Sequence, residues 1–324
     1  MSPLQRALPV TLRRATACAA LCLLGILALV AAHPPAASAA PIEVGVYQDN
    51  PVAGVPALTK ASGKRATRVI STYVTGGRTV DPKIVALAKR TKARLLVTWM
   101  PDGGRDGANQ RRFRLSAIRR GSQDAGLKKL TKQIKGLNPA PILRPMPEAN
   151  TPWYAWSGMA NGNTPADYIT AWNRIRKVVR GSGGKRIKMM WAPYVRSAPD
   201  TPENAFAAYF PGPTQVDLVG TSGYNFGTTG GLAWVDPEPL FEDAYRQISA
   251  LAPKPFWIAE TGSTSKGGNK VRWMNSLATL RTSIPNLAGI VWFDVRDTNG
   301  DFRISASKQL RSAFKAFTGR ARAR

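Results

Sequence analysis

Eight short apolar runs, at residues 43–47, 68–73, 94–99, 141–143, 187–191, 216–220, 255–259 and 287–293, recur along the chain at fairly regular spacing. They are rich in β-branched and aromatic residues and mostly continuous rather than alternating, which is the pattern of parallel strands covered on both faces. Helical patterns separate them. Asp81 before Pro82 is an N-cap followed by proline at the first helical position, with Ile84, Val85 and Leu87 on the apolar side. Leu127, Leu130, Ile134 and Leu137 form a stripe at spacings of three and four. Thr164 to Asp167 is a capping box that leads into Tyr168, Trp172, Ile175 and Val179. Trp273, Leu277, Leu280 and Ile284 repeat the pattern, as do Ala306, Leu310, Ala313 and Phe317. The segment between runs five and six allows only a short helix around 203–209, because Pro199, Pro202, Pro211 and Pro213 crowd it. Alternating strands and helices predict an α/β fold, and eight of each favours a single (β/α)8 TIM barrel over a doubly wound sheet.

The barrel reading accounts for residues 41–318. Residues 1–40 read as an export signal: Arg6, Arg13 and Arg14 precede an apolar stretch, and Ala37-Ser38-Ala39 is a small-residue cleavage site. The expected localisation is therefore secreted, and residues 319–324 are expected to be a basic tail. Both cysteines, Cys18 and Cys22, and the single histidine, His33, fall within the signal. The processed chain would have no disulfide, thiolate nucleophile, imidazole base or Cys/His zinc site. Carboxylates, lysines and tyrosines remain for acid–base or nucleophilic work, with no cofactor and no metal expected; Asp297 to Asp301 reads as a polar turn rather than a calcium loop.

Chemistry in such a barrel lies at the C-terminal ends of the strands. Those ends carry Asp49, Asp102, Glu148, Tyr224, Asn225, Glu260, Asp294 and Asp297, together with Trp99, Trp191, Trp234 and Trp292. The stretch PILRPMPEANTPWYAW, 141–156, is the densest: it sets Arg144, Glu148 and Asn150 beside Trp153, Tyr154 and Trp156. A carboxyl that moves a proton, an amide that holds a hydroxyl and flat rings that stack on a pyranose are what sugar chemistry requires. Strands four and seven each deliver a glutamate, and such a pair about 5–5.5 Å apart makes a double-displacement glycosidase.

Residues 144–156 (RPMPEANTPWYAW), 164–175 (TPADYITAWNRI), 209–225 (YFPGPTQVDLVGTSGYN) and 254–263 (KPFWIAETGS), with a weaker match in 289–294 (GIVWFD), resemble glycoside hydrolase family 26, the endo-β-mannanase-like group. The resemblance implies a retaining endo-glycosidase of mannan- or β-glucan-like chains, with Glu148 as general acid/base and Glu260 as nucleophile. It also implies that Tyr224 hydrogen-bonds the nucleophile and that Trp292 lines the sugar subsite. Arg144, Asn150, Trp153 and Trp156 complete the expected substrate-binding set. Pro147 departs from the family pattern, which has histidine immediately before the acid/base glutamate. That departure leaves a non-catalytic glycan-binding barrel as the alternative function.

Lysines and arginines number 46 against 19 acidic residues, a net charge of +27. The expected partners are a polysaccharide substrate and, electrostatically, an anionic cell-wall polymer. Neither nucleic acid nor a stable membrane anchor is expected, and the chain is read as a monomer.

Overall fold

A computed structural model describes residues 40–63, 67–103 and 107–321. The expected export signal, apart from Ala40, and residues 322–324 of the expected tail lie outside them. Eight strands, β1 (Glu43–Tyr47), β2 (Val69–Thr75), β3 (Arg94–Met100), β4 (Ile142–Pro145), β5 (Lys188–Trp191), β6 (Leu218–Asn225), β7 (Phe256–Ser263) and β8 (Leu287–Phe293), pair in parallel and in order. β8 returns to β1 in register from Glu43 opposite Gly289 to Tyr47 opposite Phe293, which closes the barrel.

The helices are α1 (Pro51–Ser62), α2 (Pro82–Thr91), α3 (Leu115–Arg119), α4 (Asp124–Ile134), α5 (Pro165–Gly181), α6 (Pro237–Leu251), α7 (Lys270–Ser276) and α8 (Lys308–Arg320). Their starts are chemically specified. Asp81 accepts from the Lys83 N–H, Thr164 and Asp167 close a reciprocal capping box, and Ser307 accepts from the Leu310 N–H; each such cap stabilises by about 1 kcal/mol. α3 and α4 both fall between β3 and β4. The crowded β5–β6 connection carries two 3₁₀ turns, Pro202–Asn204 and Phe206–Tyr209, where a short helix was expected. Ala205, in extended backbone with ψ of 157°, separates the two turns. The expected tail boundary also moves. α8 continues through Arg320, and the carbonyl of buried Ala321 accepts from Ile42 N–H at 3.0 Å, so residues 319–321 belong to the barrel wall.

Strand pleating divides the apolar side chains into two cores. Val69, Leu96, Ile142, Met190, Trp257, Ala259 and Val291 point inward and fill the barrel, whereas their strand neighbours pack against the helices. Trp257 fits because Gly289 faces it: a Cβ there would lie 2.2 Å from the indole ring. The next inward layer toward the C-terminal ends is polar and opens upward, and it forms the candidate site. A short hairpin after β8, β9 (Arg296–Asp297) with β10 (Gly300–Asp301), stands at its edge. Among the described residues no helix is long and apolar enough to cross a membrane.

Candidate active site

The strands run further at their C-terminal ends than their apolar runs suggest, and the added residues carry the site. Arg144 is inside β4, Ser222 and Tyr224 inside β6, and Glu260 inside β7. Inward parity explains most of them: in β4, Ile142 and Arg144 face in while Leu143 faces the helices.

Glu260 breaks that parity. Trp257 and Ala259 face the barrel interior, so strict alternation would turn Glu260 outward into the helix layer. Between the pairs Gly220–Trp257 and Ser222–Glu260, β6 advances two residues and β7 advances three. The extra residue is a β-bulge, which re-aims the following side chain. It delivers Glu260 to the barrel mouth.

Glu148 arrives by different means. It follows β4 in a tight loop in which Met146 and Glu148 both adopt left-handed backbone, with φ of 49° and 57°. Such conformations cost on the order of 1 kcal/mol or more each for non-glycine residues and persist where neighbours over-determine them. The neighbours here are explicit. Met146 N–H donates to Trp99 carbonyl, and Glu148 N–H to Ala192 carbonyl. The carbonyl of Met146 accepts from the Tyr168 hydroxyl, that of Pro147 from Trp156 Nε1, and that of Glu148 from Thr151 Oγ1.

The two glutamates meet on one guanidinium. Arg144 donates from Nη1 to Glu260 Oε2 at 2.8 Å, and from Nη2 to Ser222 Oγ at 2.6 Å and to Glu148 Oε1 at 3.5 Å. The Tyr224 hydroxyl donates to Glu260 Oε1. The Tyr154 hydroxyl lies 3.4 Å from Glu148 Oε2. All three ionic groups are buried, Arg144 being only 1% exposed. Burial first, and the neighbouring Glu260 carboxylate second, push the Glu148 carboxyl up to about 7 against the opposing pull of Arg144. With Glu148 protonated, Glu260 as the anion and Arg144 as the cation form a cluster of zero net charge, the form that burial favours. Burial and the same two carboxylates hold Tyr224 and Tyr154 well above the ordinary phenol range, so both remain donors near neutrality. Tyr73 is raised by burial and Glu260 in the same way.

These groups form the floor of a cavity of about 1250 Å³ lined by Tyr47, Tyr73, Trp153, Tyr154, Tyr194, Tyr224, Phe226, Phe293 and Phe302, with Pro147 beside Glu148. Such a volume holds several sugar units rather than a small metabolite. Among the described residues no group of three or more His, Cys, Asp or Glu side chains is placed to hold a metal ion.

Of the expected site residues, the fold brings Arg144, Glu148, Glu260, Tyr224 and Trp153 to this cavity, and Trp153 stands 46% exposed at its rim. Trp292, Trp156 and Asn150 do not reach it, and neither do the strand-end residues Trp99 and Trp191. Trp292 is fully buried on the outward face of β8, edge-on to Trp273 of α7, and its Nε1 donates to Phe302 carbonyl. Phe293, one residue on, takes the inward position. Trp99 and Trp191 are buried on the outward faces of β3 and β5 for the same reason of parity. Trp156 is buried beneath Tyr154, stacked at 4.5 Å, and locks the loop by its bond to Pro147. Asn150 is also fully buried. Its Oδ1 accepts from Tyr194 N–H at 2.8 Å and its Nδ2 donates to Tyr194 carbonyl at 3.0 Å, which joins the loops after β4 and β5. Asn150→Ala would strand both Tyr194 backbone groups, and about 3 kcal/mol of stability should be lost. Denaturant titration checks this: a loss of activity with an unchanged midpoint would return Asn150 to a substrate-binding role.

No family model matches the chain. Endoglucanase H of Acetivibrio thermocellus is 30% identical over 230 residues, which is 69% of this chain and 24% of that protein. Mannan endo-1,4-beta-mannosidase A and B of Caldalkalibacillus mannanilyticus is 26% identical over 150 residues, 44% of this chain and 26% of that protein. The chain thus matches about a quarter of the length of each curated relative. Among solved structures, a GH26 beta-mannanase from Bacteroides ovatus superposes with a TM-score of 0.65 over 86% of this chain and 88% of that one, at 17% identity. The barrel and its connections are therefore shared with that enzyme's fold.

Sequence reasoning passed over Ser222, Tyr73, Tyr47 and Phe293. Each occupies the inward parity of its strand, a signal that was present in the alternation but needs the register of the neighbouring strand to be read.

Proposed function

We propose that the chain is a glycoside hydrolase that cleaves β-linked mannan- or glucan-like polysaccharide internally and with retention of configuration. The observation that carries this is the pair of buried glutamates, from β4 and β7, sharing one arginine on the floor of an aromatic-lined cavity. The named activities of the curated relatives, an endoglucanase and a mannosidase, lend support.

Glu260, held by Arg144 and Tyr224 with one carboxylate oxygen facing each, attacks the anomeric carbon. Glu148, the carboxyl raised to about 7, gives its proton to the leaving glycosidic oxygen. The glycosyl-enzyme ester is then hydrolysed by a water that Glu148 deprotonates. Loss of the leaving group opens the space for that water, and Arg144 keeps the two carboxyl groups in register across both steps. Trp153 offers an exposed ring face for a neighbouring sugar. Pro147 contributes a wall of the cavity and a carbonyl to Trp156, and supplies no side-chain donor to the substrate. The export-signal pattern of residues 1–40 supports a secreted enzyme. A panel of β-mannans, β-glucans and xylans assayed for new reducing ends, with Glu260→Gln as the blank, tests the reading. No release from any polymer would leave the non-catalytic glycan-binding barrel in its place.

The charge of +27, of which Arg6, Arg13 and Arg14 of the export signal supply only three, supports a second contact, with anionic wall polymer. Lys128, Lys129, Lys132 and Lys177 are exposed on α4 and α5. Attraction of this kind is screened over about 8–10 Å at physiological salt. Pulldown on isolated cell walls should therefore weaken steeply between about 0.05 and 0.5 M salt, while turnover of a small neutral glycoside stays level. Wall binding that ignores salt would refute an electrostatic origin.

A further inference from the structure

The segment after β5 presents an arginine that the chemistry described above does not use. Arg196 is exposed, lines the cavity, and has no carboxylate within ion-pair distance among the described residues. The backbone that carries it is held on both sides. Asn150 clamps Tyr194 by N–H and carbonyl, and Val195 N–H donates to Ser222 carbonyl at 2.8 Å. Ser197 Oγ donates to Asn204 carbonyl at 2.7 Å, and Ala198 N–H donates to Asn150 carbonyl at 2.9 Å. A pinned segment with one long cationic side chain directed over a cleft is a preorganised anion receptor, because little backbone order remains to be lost on binding. Beside it stands a platform for a sugar ring: Trp153, 46% exposed, is edge-on to Tyr194 with centroids 5.0 Å apart. Burial first, and the Glu148 charge second, raise the Tyr194 phenol, and the Arg196 charge opposes them.

The hairpin after β8 repeats the motif more weakly. Arg296 on β9 is exposed and lines the cavity, and the Asp301 across from it is already bound by Arg303 at 2.9 and 2.7 Å. Two acids share the rim. Asp297 is occupied by the N–H groups of Asn299 and Gly300, and Asp49 sits beside the Tyr47 hydroxyl. Neither pairs with Arg196.

We propose that Arg196, with the Trp153–Tyr194 platform, forms a subsite for an acidic sugar, so that the preferred substrate is a β-linked chain carrying carboxylate groups. The inference rests on the cavity being a glycan cleft and names the substrate class for it. A guanidinium matches a carboxylate through two parallel N–H donors, whereas sugar hydroxyls need no charge at that position.

The test compares one β-mannan with the same polymer partly oxidised at C6 to the carboxylate. Affinity electrophoresis of Glu260→Gln protein through gels holding either polymer reads binding without turnover, and reducing-end release by active protein reads kcat/KM. Retardation and kcat/KM should both favour the oxidised polymer. Arg196→Gln should lower that preference about tenfold, the scale of a charge-assisted pair, and Arg196→Lys should restore part of it. Lys315→Gln removes the same charge from an exposed position on α8 and should leave the preference intact. If Lys315→Gln lowers it equally, the preference is a whole-surface field and the subsite is overturned; equal handling of both polymers by the unmutated protein overturns it as well. Absence of retardation and release on every polymer tested would instead remove the glycan reading on which the proposal rests.

Discussion

Glu260→Gln is expected to lower kcat on β-linked polysaccharide by at least about 10⁴-fold, the scale seen when a covalent nucleophile is removed. The amide keeps the shape and can still meet Tyr224 and Arg144, so the protein should fold and retain polymer binding. Loss of the negative charge has a second, measurable consequence. Part of what raises the Glu148 carboxyl is the Glu260 carboxylate, so in this variant Glu148 should titrate lower than in the unmutated protein. Carbon-detected titration of the Glu148 carboxyl reads that shift directly. Turnover by Glu260→Gln within tenfold of normal would remove Glu260 from the reaction, and a product of inverted configuration would remove it as nucleophile.

Glu148→Ala should cost about 10²–10⁴-fold on natural polysaccharide, whose leaving alcohol needs a proton, and far less on an aryl glycoside with a good leaving group. The pH profile adds an independent reading. The acid must be protonated, and burial with the Glu260 charge raises its carboxyl to about 7. The rate on polysaccharide should therefore fall as pH rises through about 7, roughly tenfold per unit thereafter. Glu148→Gln should lose that alkaline limb while folding normally, because Gln can occupy the same left-handed loop position at similar cost. An alkaline limb that survives the substitution would assign the titration to another group.

The barrel was legible because it rests on local features. Continuous apolar runs of strand length and helix starts written as Asp81-Pro82 and Thr164 to Asp167 are decided by nearest neighbours, and the structure reproduces them. Glu148 and Glu260 stood out because carboxylates are scarce in this chain and these two follow apolar runs. The aromatic residues were less legible. Trp153, Trp156 and Trp292 look alike in sequence, yet one stands at the cavity rim and two are packed beneath solvent-free layers. Side-chain direction on a strand has period two, so an uncertainty of one residue in register exchanges Trp292 for Phe293.

Asn150 shows the same limit on a loop. Its spacing from Glu148 suited a sugar hydroxyl, but the backbone of Tyr194, 44 residues further along, claims both ends of its amide. The sequence by itself determined the number and order of the barrel strands and the absence of thiol and imidazole chemistry beyond residue 33, and it singled out the two glutamates proposed for catalysis. Only the tertiary structure decided which side chains face the cleft. The bulge in β7 that turns Glu260 inward is defined by pairing with β6 and β8, and the left-handed Glu148 is held by Ala192, Trp156 and Tyr168. Those contacts join residues distant in sequence, and the direction of each side chain follows from them rather than from its neighbours along the chain.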